Sequence, residues 1–134
     1  MSPATERTAI RRVRGTKARR DGRGAETLAA LWLMAKGWRI LGVRLKTPQG
    51  EIDLLARRGS TLAVVEVKRR ATIEQALEAV APAQRARLRA AAETLAARRP
   101  DWKTLSVRLD LIAIGPGGLP RHVADAWPGD GGRG

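Results

Sequence analysis

The sequence predicts an α/β domain whose elements run helix, three strands, helix, strand. Three observations carry this. An apolar stripe of helical period precedes residue 37, and three short strand-like runs lie between residues 38 and 69. A second helical stretch then leads into a β-rich run at 105–114. Strands bracketed by amphipathic helices pack as a sheet covered by helices, with one core per domain.

The first helix is predicted from Asp21, a residue type suited to the N-cap, through Lys36, with Gly37 as its stop. Leu28, Leu31, Trp32 and Ala35 recur at helical spacing and define its buried face. Strands are predicted at Trp38–Leu45, Glu51–Arg57 and Thr61–Arg69. The third contains Leu62-Ala63-Val64-Val65-Glu66-Val67, apolar on both faces as in a strand inside a sheet. Thr72, with Gln75 three residues on, has capping-box spacing, and Pro82 ends that short helix and opens a longer one. Leu88, Ala91, Ala92 and Leu95 form the stripe of the longer helix, and Leu105–Ile114 reads as the last strand. Residues 1–20 read as a basic, poorly ordered arm, 21–115 as the domain, and 116–134 as a loosely held Gly/Pro-rich tail pinned by Trp127.

Composition narrows the partners. The 134 residues include 26 Lys and Arg against 13 Asp and Glu, a formal net charge of +13. Such a surface attracts polyanions, of which nucleic acid is the commonest; a GC-rich genome inflating Arg and Ala together is the bland alternative. The absence of Cys excludes disulfides and thiolate metal sites and is compatible with a cytoplasmic protein. No apolar run reaches membrane-spanning length, so no membrane partner is expected. With four Trp and no Phe or Tyr, single-strand readers that stack bases on exposed aromatics rank low.

The chemistry concentrates on one hairpin. Gly59-Ser60 is a plausible two-residue turn with Gly supplying positive φ. Centring the turn there pairs Arg57 with Leu62, Leu55 with Val64, Asp53 with Glu66, and Glu51 with Lys68. These side chains share one face, while Ile52, Leu54, Ala56, Ala63, Val65 and Val67 form an apolar surface on the other. Two carboxylates then face each other across the strands, roughly 5 Å apart at Cβ, which destabilises a sheet unless compensated. Either a proton is shared, raising one apparent pKa, or a cation lies between them. Mg²⁺ suits such a site as a hard ion taking carboxylate, water and phosphate oxygens, with Mn²⁺ as a substitute.

Carboxylates, a divalent ion and Lys68 together suit phosphodiester hydrolysis. Lys68 could orient the water, deprotonate it, or stabilise the oxyanion, and the sequence leaves these open. The plainer reading makes Glu51–Lys68 a cross-strand ion pair and Asp53 a solvated acid. It weakens for the set, because Glu66 interrupts an apolar strand and an unpaired buried charge is costly.

Gly50-Glu51-Ile52-Asp53-Leu54-Leu55 followed by Val65-Glu66-Val67-Lys68-Arg69-Arg70 resembles the YraN family of bacterial endonuclease-like proteins. That family sits in the restriction-endonuclease-like superfamily with the PD-(D/E)xK signature. The resemblance spans about Gly24 to Ile114 and implies that superfamily's core, a mixed central sheet flanked by helices. It places the catalytic and metal-binding aspartate on Asp53 and the second acid and lysine on Glu66 and Lys68. Gly24-Ala25-Glu26 also matches, implying a further acid, Glu26, from the first helix. Gln84 and Arg87 resemble the Q-x-x-R element of related nucleases. Two departures stand out: Ile52 replaces the proline of the signature, and Ala83 stands where a lysine is expected. The implied activity is no narrower than nuclease-like, with branched or repair DNA among the candidate substrates.

The accessory residues have competing explanations. Glu26 near a helix N-terminus could serve only the helix dipole. Gln84 and Arg87, three apart on a helix, could be solvated surface. Arg69, Arg70, Arg85 and Arg89 are candidate phosphate contacts, with Glu51 as a supporting acid. His122 reads as a surface residue and Asp110 as structural. The leading expectation is a Mg²⁺-dependent DNA endonuclease. Its rivals are a catalytically silent nucleic-acid-binding module and an interaction module for an acidic protein. A resolvase-like role would favour a symmetric homodimer, although no strip of residues marks an interface.

Overall fold

The computed structural model describes residues 17–130, with side chains from residue 24 onward. Helix α1 (Lys17–Ala35) leads into strands β1 (Arg39–Thr47), β2 (Gly50–Arg58) and β3 (Thr61–Arg69). Helices α2 (Ile73–Glu78) and α3 (Pro82–Ala97) follow, then β4 (Ser106–Ile114) and the short β5 (Pro120–Val123). The strands form one sheet in the order β1-β2-β3-β4-β5. β1–β2, β2–β3 and β4–β5 pair antiparallel, whereas β3 and β4 run parallel. The parallel pair requires a crossover, which α2 and α3 supply. The sheet is therefore mixed, in a mixed α/β fold.

Local chemistry accounts for the boundaries. Gly37 takes φ +92°, a left-handed stop for α1. Gly59 takes φ +61° in the β2–β3 turn. Thr72 caps α2 by accepting the Gln75 amide proton at 3.1 Å, and Pro82 occupies the start of α3. α1 starts at Lys17 and so extends past the predicted Asp21 cap.

Both faces of the sheet are apolar and covered. On one, Ala25, Ala29 and Leu33 of α1 pack on Leu54, Ala56, Ala63, Val65 and Val67. On the other, Leu88, Ala91, Ala92 and Ala96 of α3 pack on Ile52, Leu55, Leu62 and Val64. Two expectations change here. The buried stripe of α1 is Ala25, Ala29 and Leu33, whose two alanines let the helix lie close to the sheet, while Leu31 is 56% exposed. Leu28 and Trp32 are only partly buried and Ala35 is exposed. Ile52 also lies on the α3 side rather than with Leu54, so the alternation of β2 breaks at Asp53. Nearby on β1, between the partners of Leu54 and Ile52, Arg44 takes φ +53°, a conformation disfavoured for L side chains.

The segment predicted as a loose tail is largely structured through residue 130. β5 pairs with β4, the Trp127 indole donates to the Leu77 carbonyl at 3.3 Å, and Asp130 holds Arg85 through two bonds of 2.9 and 3.0 Å. Gly and Pro density signalled turns but concealed the four-residue strand between them.

The join between β4 and β5 rests on Asp110, which is fully buried. It receives Arg108 Nε and Nη2 at 2.8 and 2.9 Å and the Asp125 amide at 2.9 Å, with His122 Nε2 2.8 Å away. Asp110 is thus structural, as expected. His122 is an internal partner rather than the predicted surface residue. Burial pushes the Asp110 pKa up, but the bonds from His122, Arg108 and the amide outweigh it and hold the pKa below its ordinary value. A depressed carboxyl pKa stabilises the fold above the unfolded value and loses that contribution as pH falls through the folded one. Asp110→Asn should therefore cost roughly 2–4 kcal/mol at neutral pH. In urea titrations the gap to the native protein should narrow once the pH drops below 3.8.

Candidate metal and phosphate site

The predicted β2–β3 register holds from Arg57–Leu62 to Leu54–Val65. There the ladder stops. The Val67 amide donates instead to Asp53 Oδ2 at 3.0 Å, so a side-chain carboxylate replaces a main-chain acceptor and the strands part around it. Glu66 lies beside this opening at 3% exposure. Its Oε2 accepts from Gln84 Nε2 at 3.2 Å and lies 3.9 Å from Lys68 Nζ. Gln84 reaches it because it sits one turn before Leu88 on the sheet-facing side of α3.

Glu66 Oε1 is buried and has no hydrogen-bond donor. When both are ionised, Asp53 and Glu66 are acceptors only and cannot satisfy each other, whereas a protonated Glu66 can donate to Asp53. Burial, then the Asp53 charge, push the Glu66 pKa up to about 8 despite Lys68. Burial likewise raises Asp53, opposed by the Val67 amide and Lys68. Glu26 from α1 joins the same field: burial and Asp53 raise it, while Arg44, 3.0 Å away, pulls it down. The arrangement thus concentrates three acids whose charges are mutually unfavourable. A proton or a hard cation is the guest that relieves it.

Among the described residues, no three acidic or imidazole groups form a complete metal cage. Asp53 and Glu66 offer two hard oxygen donors, with an orphaned oxygen between β2 and β3; this fits a divalent ion that keeps waters of its own. Glu26 would join only after loosening from Arg44.

The other predicted residues fall in different places. Glu51 is exposed and lies opposite Lys46 in the β1–β2 register, because the β2–β3 ladder ends before it can meet Lys68. Neither the expected opposition nor the plainer cross-strand ion pair forms. Arg69, Arg70 and Arg87 are exposed, the first two directly after Lys68 in sequence and the third three residues after Gln84 on α3. Arg85 is bound internally, to Asp130, to the Val80 carbonyl at 2.9 Å, and over the Trp127 ring at 5.3 Å. Arg89 is half-buried. Sequence reasoning missed Arg44. One arginine among many on a short strand carries no mark of a left-handed conformation or of an α1 carboxylate as its partner.

The raised Glu66 pKa has a thermodynamic consequence. Its contribution to stability is fully present below 4.5, the ordinary value, and is lost as pH rises through about 8. In EDTA, the native protein should lose on the order of a few kcal/mol between pH 5 and 8 by urea denaturation. Glu66→Gln should flatten that dependence. A slope that Glu66→Gln leaves untouched would place the buried charge elsewhere.

Residues 25–114 match the uncharacterised protein family UPF0102. A UPF0102 protein of Caulobacter vibrioides (strain NA1000 / CB15N) is 67% identical over 120 residues, covering 90% of this chain and 96% of the relative. One from Caulobacter sp. (strain K31) is 60% identical, covering 94% and 91%. The UPF0102 protein amb4503 of Paramagnetospirillum magneticum is 50% identical over 114 residues, covering 82% and 88%. The matched stretch contains Glu26, Asp53, Glu66, Lys68 and Gln84, the residues from which the site is built. The chain belongs to the UPF0102 family.

Proposed function

We propose that this protein is a divalent-metal-dependent, nuclease-like protein that acts on phosphodiester bonds of DNA. The observation that carries this reading is the donorless Glu66 Oε1, buried against the Asp53 carboxyl where β2 and β3 part. A structural role alone would favour an apolar or amide side chain at Glu66, because an unpaired buried carboxylate costs stability. Asp53 and Glu66 would hold Mg²⁺ or Mn²⁺, with Glu26 as a further acid. When bound, such an ion lowers the pKa of a coordinated water and offsets charge on a phosphate oxygen.

The chain's own residues supply the rest. The Val67 amide fixes the Asp53 carboxyl, so its free oxygen does not have to be ordered at the moment of binding. Gln84 holds Glu66 Oε2 and leaves Oε1 as the available donor atom. Lys68, its side chain 23% exposed, places Nζ beside the same opening, where it can bond a phosphate oxygen or hold a water in line. Arg69, Arg70 and Arg87 would meet the flanking backbone phosphates.

A second reading, a DNA-binding module without turnover, draws on the Glu26–Arg44 pair at 3.0 Å, which withholds the third acid. The two separate by experiment. Calorimetric titration with Mg²⁺ should give measurable heat with the native protein and at least a tenfold weaker response with Asp53→Asn. Forked or four-way DNA should be cleaved by the native protein and not by Glu66→Ala. Binding without products in either metal would favour the silent module, whereas cleavage that survives Glu66→Ala would remove the proposed site.

A further inference from the structure

Far from the acids, at the opposite end of the sheet, the chain gathers a second set of cations. The end of α1, the β2–β3 turn and the loop between α3 and β4 meet there. Arg58 Nη1 donates to the Lys36 carbonyl at 3.2 Å, Arg57 Nη1 to the Asp101 carbonyl at 3.3 Å, and the Ser106 amide to the Ser60 carbonyl at 2.8 Å. Lys36, Arg39, Arg58, Arg98, Arg99 and Lys103 are all exposed at this end. Against them stand Asp101, paired with Arg99 at 3.7 Å, and Glu93, about one turn inside α3.

Helix termini explain part of this. Lys36 and Arg98 directly follow α1 and α3, where cations offset the negative end of the helix dipole. Arg58, which donates to the Lys36 carbonyl, serves the same end of α1, whereas Arg39 and Lys103 have no such duty. Arg39, Arg98 and Lys103 also have no ion-pair partner among the described residues.

The tryptophans add a second feature. Lys36 lies 4.9 Å above Trp32, Arg58 lies 4.7 Å from the Trp38 ring centre, and Arg99 lies 4.2 Å from that of Trp102. All four Trp carry a cation over the ring, and three of them do so at this end of the sheet. A guanidinium held by its face keeps edge N–H groups for a phosphate and loses less side-chain freedom on binding.

We infer that this end of the sheet is a second phosphate-binding surface for duplex DNA, resting on the nucleic-acid reading of the acid site. Asp53 and Arg58 are five residues apart on β2, roughly 17 Å along the strand. That distance is about five base-pair steps of a duplex. The surface therefore assigns an extended duplex as the substrate class, contacted at the acid site and again about five steps away, in preference to a mononucleotide or a short oligomer.

The test is fluorescence anisotropy with a 20-base-pair duplex in EDTA, over a series of salt concentrations. The variant Arg39→Gln/Arg98→Gln/Lys103→Gln removes three cations that have no ion-pair partner. Its affinity near 0.1 M salt should fall roughly 10–100-fold, and the logarithmic salt dependence should lose about two to three units. The charge-conserving variant Arg39→Lys/Arg98→Lys/Lys103→Arg should bind as the native protein does. Arg69→Gln/Arg70→Gln reports on the other end. If only that variant weakens binding, the second surface is overturned and the acid-site reading stands. If the native protein fails to bind the duplex, both go. If polyglutamate competes as well as DNA at equal charge, the occupant is an acidic protein and the inference fails.

Discussion

The Asp53 carboxylate taking the Val67 amide proton is the contact on which the site depends. An antiparallel ladder satisfies main-chain donors with main-chain acceptors. Here a side chain takes over, so β2 can leave β3 without leaving a buried N–H unpaired. The same bond orients Asp53 and opens the space beside Glu66. Positioning and opening therefore have one cause, and neither requires a loop.

The opening would collapse if apolar side chains filled it; instead it is edged by charge. Burial raises Glu66, Asp53 and Glu26, and the Asp53 charge adds to the rise at Glu66 and Glu26, so the apo site binds protons more readily than three free acids would. Arg44 and Lys68 offset part of that field from opposite sides. The balance leaves one oxygen, Glu66 Oε1, without a donor. Rigid elements hold every participant: α1, β1, β2, β3 and α3 each contribute a side chain, and each is anchored in one of the two packed faces. A site assembled from regular elements does not need a ligand to preorganise it.

Much of this was legible before any coordinates. The positive φ required by Gly59 set the hairpin register, and the pairing of Leu55 with Val64 followed from it. The apolar doublet strand β3, the Thr72 cap and the Pro82 start were equally plain. The break in alternation at Asp53 was not, because strict period-two reading assumes a regular strand and nothing in Ile52-Asp53-Leu54 announces a change of face. For α1, large apolar residues drew attention to Leu31, whereas close approach to the sheet selected alanines at 25 and 29. β5 escaped because four residues between Gly and Pro are too few for periodicity to register.

The net charge of +13 suggests nucleic acid, but where each cation goes says more than their number. Arg44, Arg85 and Arg108 each hold a carboxylate of this chain and stabilise its architecture. Among the described residues, exposed cations lie at both ends of the sheet. Arg69 and Arg70 lie beside the acid site, and Arg39, Arg98 and Lys103 lie at the hairpin-turn end. Uniformly scattered arginine, as a compositional bias would leave it, would not be expected to place stacked, preoriented cations on three tryptophans at one end of the sheet. Charge divided between two ends fits an elongated polyanion better than a small one. A mononucleotide can reach only one of these surfaces, while a duplex lying along the strands can reach both.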